Sequence, residues 1–211
     1  MVNQTLTASR LRLPAWLLII SIIPFIAIPI TAAANFISAG IGPFVTITPQ
    51  QMAVIRNAWI LLGIFGFAAQ LLGTIGLALT ANAVKATAAR PLAWLTLIAA
   101  VSNVVIHAIF AYLRLSVVSF TEANLGMVSN YVLSSTLIYI GYLTGLLMTC
   151  AISVGLYVNG WLRRAGLVIS ILSGILFLMA LVPSISNSIP PLVFFLLWVP
   201  LGIGLLRRRD N

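Results

Sequence analysis

Asn103, His107 and Arg114 are spaced by four and then seven residues within one apolar stretch. At 100° per residue they share one face of a helix. An amide, an imidazole and a guanidinium on one face could anchor a small molecule or ion, relay a proton, or hydrogen-bond a neighbouring helix. Asn35, Gln70, Tyr139 and Tyr142 are further large polar groups inside long apolar runs. Outside them stand Arg56 and Glu122, the latter the one acid besides Asp210 near the C-terminus.

The residues that are missing narrow the chemistry. Bis-histidine haem ligation needs paired imidazoles, and His107 is the single histidine. A zinc hydrolase needs three His or acidic ligands. No acid lies within an apolar run to serve as a cation or proton site, unlike most ion-coupled transporters. No Lys lies within one to form a Schiff base. Ser134 and Ser135 could act as nucleophiles beside His107, but no surrounding pattern supports them. Cys150 is the only cysteine, which excludes an intrachain disulfide and a Cys-rich metal site; within its apolar run it reads as a small hydrophobe. No catalytic, cofactor-binding or metal-ligating residue is therefore assigned, no cofactor is expected, and a non-enzymatic role is favoured.

The elements that must position these groups follow from composition. Hydrophobic residues make up 62% of the 211 positions, charged residues 6%, and the mean hydropathy is +1.17. Soluble domains carry about 25% charged residues, so the composition excludes a water-coated globule. A bilayer-spanning helix needs about 20 apolar residues. Six such runs occur, at 14–36, 58–80, 92–113, 131–157, 162–182 and 191–206, leaving almost nothing for a soluble domain. The expectation is an all-α polytopic membrane protein, six transmembrane helices in one bundle over residues 1–211. A secretory signal ending at Ala32–Ala34 is the competing reading of the first run, which is longer than the 7 to 15 residues of a signal core.

Nine of the eleven Lys and Arg residues lie before the first run, in alternate gaps, or after the last run. Excess basic residues mark cytoplasmic segments, so both termini are expected in the cytoplasm. The net charge of +9 then reads as topology and contact with lipid headgroups; nucleic acid is not an expected partner. Trp16, Trp94 and Trp161 are expected at the inner headgroup level and Trp59 at the outer, with Trp198 packed more deeply. Thr48-Pro49-Gln50-Gln51 has the N-cap, first-turn proline and capping-box glutamine of a helix start, predicting a second helix from Pro49 to about Asn82. Ser119–Glu122 resembles another capping box, with Gly126 as the stop of a short outer helix.

With that topology, His107 lies about 10 Å below Arg114 and Tyr139 about 12 Å below Tyr131. Consecutive helices usually neighbour each other, so His107 and Tyr139 are expected to meet, directly or through one water. Tyr142 lies one turn deeper, Gln70 near mid-membrane, and Asn35 at the end of the first run. Intramembrane polar groups usually face a bundle interior or cavity. Asn35, Gln70, Asn103, His107, Tyr139 and Tyr142 are therefore expected to line an outward-facing polar pocket. The blander reading is that they only hydrogen-bond one helix to the next. Arg56 and Arg114 read as headgroup-level side chains, and Glu122 is the natural ion partner of either.

Small residues recur every four positions at Gly141, Gly145, Thr149 and Ser153, at Gly166, Ser170 and Gly174, and at Ala69 and Gly73. Such stripes let membrane helices approach closely, within the chain or in a homo-oligomer. Pro24, Pro29 and Pro200 are expected to kink their helices.

The run from Gly141-Tyr142 to Gly155-Leu156-Tyr157, then Gly160-Trp161-Leu162-Arg163-Arg164-Ala165-Gly166 and on to Ser173-Gly174, resembles a known pattern. It is similar to the small six-helix bacterial membrane proteins grouped as domain of unknown function four-three-eight-six. A fourth helix there ends in a Gly-aromatic segment, followed by a short basic turn and a Gly-containing fifth helix. Arg56-Asn57 and Gln70 of the long second helix also suit that group, while Leu162 stands where its turn carries a proline. The resemblance implies a bacterial inner-membrane location and no particular activity. Two functions follow as expectations: binding or moving a small apolar molecule or lipid through the outer pocket, or serving as an accessory subunit docked on a larger membrane complex.

Overall fold

In lipid a backbone must satisfy its own polar groups, and a helix does so within one segment. The computed structural model describes residues 8–38, 49–116, 126–182 and 192–207. Among these residues every regular element is a helix: α1 (Ala8–Ile20), α2 (Ile22–Ser38), α3 (Pro49–Val84), α4 (Arg90–Ser116), α5 (Gly126–Val158), α6 (Arg163–Ala180) and α7 (Leu192–Arg207). Four stretches are long and apolar enough to cross a membrane: Ser9–Ala27, Gly63–Val84, Arg90–Leu113 and Tyr139–Val158. Arg164–Ala180 and Val193–Arg207 are apolar but shorter.

The first apolar run forms two helices. Pro24 has no N–H to give the Ile20 carbonyl, and its ring crowds that oxygen, so α1 ends at Ile20. Ser21 bridges the interruption, its N–H on Leu17 O at 3.0 Å and its hydroxyl on Leu18 O at 2.7 Å. The interruption is one residue long, and the apolar stretch Ser9–Ala27 continues across it, as the kink expected of this proline requires. The start predicted at Pro49 is observed, and α3 runs 36 residues, about 54 Å. Gly126, expected to stop a short helix, is the first residue of α5; Ser119–Glu122 lies outside the described residues.

Both tight turns have identifiable chemistry. Gly160, at φ 69°, takes the left-handed conformation that closes α5. Its N–H reaches Tyr157 O at 2.9 Å, and the next N–H, of Trp161, reaches Leu156 O at 2.8 Å, the paired bonds of a Schellman motif. Between α3 and α4 the Thr87 hydroxyl donates to Val84 O at 2.6 Å and accepts from the Ala89 N–H at 3.2 Å.

Consecutive helices α3, α4, α5 and α6 pack in sequence; α1 lies against α3 and α7, α2 against α3, and α7 also reaches α5 and α6, which closes the bundle. Backbone approaches hold one end together. A Cβ on Gly202 would lie 2.6 Å from Ala15 O, one on Gly76 3.0 Å from Pro14 O, and one on Gly155 3.2 Å from the Ala89 Cβ. The fully buried Leu11, Leu18, Leu77, Leu156, Leu201 and Leu205 fill the space between. Arg10, Arg12, Lys85, Arg90, Arg164 and Arg207 are exposed around this end, joined by the exposed Trp16 and Trp94. Trp198, by contrast, is fully buried.

Candidate functional site

The buried polar side chains collect on the faces where α3, α4 and α5 meet. Asn103 of α4, 1% exposed, is the hub. Its Oδ1 accepts from the Thr74 hydroxyl of α3 at 2.9 Å. Its Nδ2 donates to Gly141 O at 3.0 Å and to Thr144 Oγ1 at 2.8 Å, both on α5. Thr144 in turn shares its one hydroxyl proton between the Ile140 and Gly141 carbonyls, at 3.1 and 3.0 Å. Three helices are thus fixed in register by one amide whose donors are both used, the outcome a low-dielectric interior demands of a buried polar group.

His107 lies one turn beyond Asn103 on the same face and is 9% exposed. Its Nδ1 is 2.9 Å from Asn103 O. A carbonyl can only accept, so Nδ1 carries the proton and the Nε2 lone pair points elsewhere. The ring covers Gly141: a Cβ there would fall 2.6 Å from His107 Cε1 and 3.2 Å from Nε2. Glycine is what allows the imidazole to seat against the α5 backbone.

On α3 the corresponding residue is Gln70, one turn from Thr74 and 8% exposed. No hydrogen-bond partner for its amide occurs among the described residues. One further turn away from the basic end is Gly66, where an added Cβ would meet nothing within 4 Å. The same helix face therefore passes from a closed clasp at Thr74, through an unpartnered amide, to open space.

Below this layer, toward the basic end, aromatic packing closes the interior. Trp198 of α7 donates its indole N–H to Thr149 Oγ1 at 2.8 Å, and Thr149 donates to Gly145 O at 2.8 Å. Phe194 and Phe195 flank the indole at ring-centroid distances of 5.7 and 5.5 Å. The indole occupies the position a Cβ on Gly73 would take, and Phe194 that of one on Gly145.

The expected pocket is therefore divided. Gln70 and His107 lie one turn beyond Asn103, on the side away from the basic end. Tyr142 packs its ring on Phe194, centroids 5.2 Å apart, in the aromatic layer. Tyr139 turns to the other side of α5, its hydroxyl 3.4 Å from Leu181 O just past α6. The expected meeting of His107 with Tyr139 is not made: Gly141 faces His107, and two residues at 100° each put position 139 on the opposite side of the helix. Asn35 belongs to α2 and Arg56 and Arg114 to α3 and α4, with side chains outside the described set, as is Glu122. The ion-pair expectation lies there too. Among the described residues no group of three His, Cys, Asp or Glu could hold a metal ion.

Residue identity alone missed Thr74, Thr144 and Thr149 as partners. Spacing could have found two of them, since Thr74 is four residues from Gln70 and Thr144 three from Gly141. The small-residue stripes face the chain's own helices: Gly141 meets His107, Gly145 meets Phe194, and a Cβ on Gly166 would lie 3.2 Å from Ser153 O. Compared with known proteins, the chain matches no family model, no characterised protein and no solved structure.

Proposed function

We propose that the chain is a six-span protein of a bacterial inner membrane, with both termini in the cytoplasm. On this reading it binds or moves a small, mostly apolar molecule or lipid in the outer half of its bundle. The observation that carries the reading is the α3 face on which Gly66 opens onto free space one turn from Gln70, whose amide has no hydrogen-bond partner among the described residues. The Trp198 layer beneath gives such a site a packed floor. The basic residues gathered at one end support a cytoplasmic placement of that end, and kinship with the six-helix family named above belongs to the same proposal. Docking on a larger complex would call for an open small-residue face, and Gly141, Gly145 and Gly166 are occupied from within the chain.

The test is mass spectrometry of apolar molecules retained by the detergent-purified protein, compared with a Gly66→Leu variant. A side chain placed in the open space should deplete one class of retained molecule while leaving the protein folded. Identical profiles for the two proteins and for empty micelles would refute the reading.

A further inference from the structure

Gln70 and His107 stand at the same level of the bundle. The Thr74–Asn103 hydrogen bond pins α3 to α4 at one point. The two helices are antiparallel neighbours across a turn of five residues, 85–89. Four residues back along α3 and four forward along α4 both lead about 6 Å from that bond in the same direction, with only about 40° of rotation off the clasp face. Gln70 and His107 thus stand at one level, one turn beyond the clasp on adjoining helices, each nine-tenths or more buried.

Their free chemistry is complementary to one kind of group. His107 Nε2 can only accept a hydrogen bond while Nδ1 donates to Asn103 O, and the Gln70 amide offers two donors and a carbonyl. A hydroxyl satisfies both: its O–H donates to Nε2 and its oxygen accepts from the amide. A methyl ester or an ether could use only the amide, and an anion would meet the imidazole lone pair unfavourably. Gly66, one turn further on, leaves space for what the hydroxyl is attached to.

We propose that Gln70 and His107 bind the free hydroxyl of an apolar molecule, such as the headgroup alcohol of a diacylglycerol-like lipid whose chains pass Gly66. The proposal rests on the binding function argued above and adds the ligand's chemical class. A water molecule carries the same O–H chemistry, and the test separates the two.

Because His107 is the only histidine, 15N-histidine labelling of the full chain in phosphatidylcholine nanodiscs gives one Nε2 resonance. Dioctanoylglycerol, with one free hydroxyl, should shift that resonance saturably; its 3-acetyl ester, with the same chains and no hydroxyl, should not. Gln70→Met should raise the half-saturating concentration about tenfold, the loss of about one hydrogen bond. Gly66→Leu, which leaves both polar groups in place, should abolish the shift. The proposal is overturned if dioctanoylglycerol leaves Nε2 unmoved, if the ester shifts it equally, or if Gln70→Met titrates like the parent protein. An Nε2 already hydrogen-bonded before addition and indifferent to both lipids would mean trapped water, and would overturn it as well. Photolabelling with an apolar diazirine distinguishes the two levels. Saturable labelling of α3 or α4 with a silent Nε2 removes the hydroxyl anchor and keeps the binding function, whereas no saturable labelling removes both.

Discussion

Replacing Gly73 by alanine should be among the more damaging single-methyl changes this bundle can suffer. The new Cβ falls on the six-membered ring of the Trp198 indole. The indole cannot easily swing aside, because its N–H is held by Thr149 at 2.8 Å and both its flanks are filled by Phe194 and Phe195. The strain must then go into separating α3 from α7, which puts the cost near the upper end of overpacking, about 3 kcal/mol. Trp198→Phe alone loses the indole hydrogen bond, worth about 0.6 kcal/mol between membrane helices, and part of the ring's packing, about 1 to 2 kcal/mol together. The shorter phenyl vacates the volume the alanine methyl needs. Gly73→Ala/Trp198→Phe should therefore be about as stable as Trp198→Phe alone, a coupling of about 2 to 3 kcal/mol. Reversible unfolding in mixed micelles, or steric trapping in bicelles, measures all four corners of the cycle. Additivity of the two substitutions within about 0.5 kcal/mol would show that the indole does not occupy the Gly73 notch.

Asn103→Leu removes three cross-helix or carbonyl bonds at once. Thr144 keeps its bonds to the Ile140 and Gly141 carbonyls, so the loss should be modest for so central a residue, about 2 kcal/mol; a loss below about 0.5 kcal/mol in the same unfolding assay would contradict the hub. Ser153 is fully buried and its hydroxyl has no hydrogen-bond partner among the described residues, so Ser153→Ala should stabilise the protein by about 1 kcal/mol, and a comparable loss would mean the hydroxyl is bonded after all. For topology, cysteines at Thr46, Ala123 and Asn187 in a Cys150→Ser background should react with an impermeant maleimide on intact cells, and one at Ala86 only after lysis; the opposite pattern inverts the proposed orientation.

Depth along a helix was legible in the sequence, and rotation about its axis was not. Counting residues from the apolar boundaries put Tyr139 and His107 at similar depths. Only the tertiary structure fixes which side of α5 faces α4, and that side carries Gly141 and Thr144. Glycine was informative for the same reason. The four-residue stripe from Gly141 to Ser153 announced close helix contacts, but a glycine has no side chain to identify its partner, here an imidazole at one position and a phenyl ring four residues on. Pro49 showed its effect in advance because a helix start is decided within a few residues. The one-residue interruption at Ser21 follows from Pro24 equally locally, since a missing N–H acts on the carbonyl four residues earlier. The pairing of α1 with α7 had no local signal at all.

That pairing has a consequence for how the protein is made. Trp198 leaves the ribosome about 125 residues after Gly73, which at 5 to 20 residues per second is about 6 to 25 s. Throughout that interval the notch on α3 and the α1 face that receives Gly202 have no partner from their own chain. A nascent chain stalled before α7 would carry the polar clasp of α3, α4 and α5 but neither its floor nor its closure. The helix that completes the bundle is thus the quality checkpoint. Truncations that remove α7 should be cleared by membrane proteases, while the parent chain, with α1 and α7 packed on each other, escapes them.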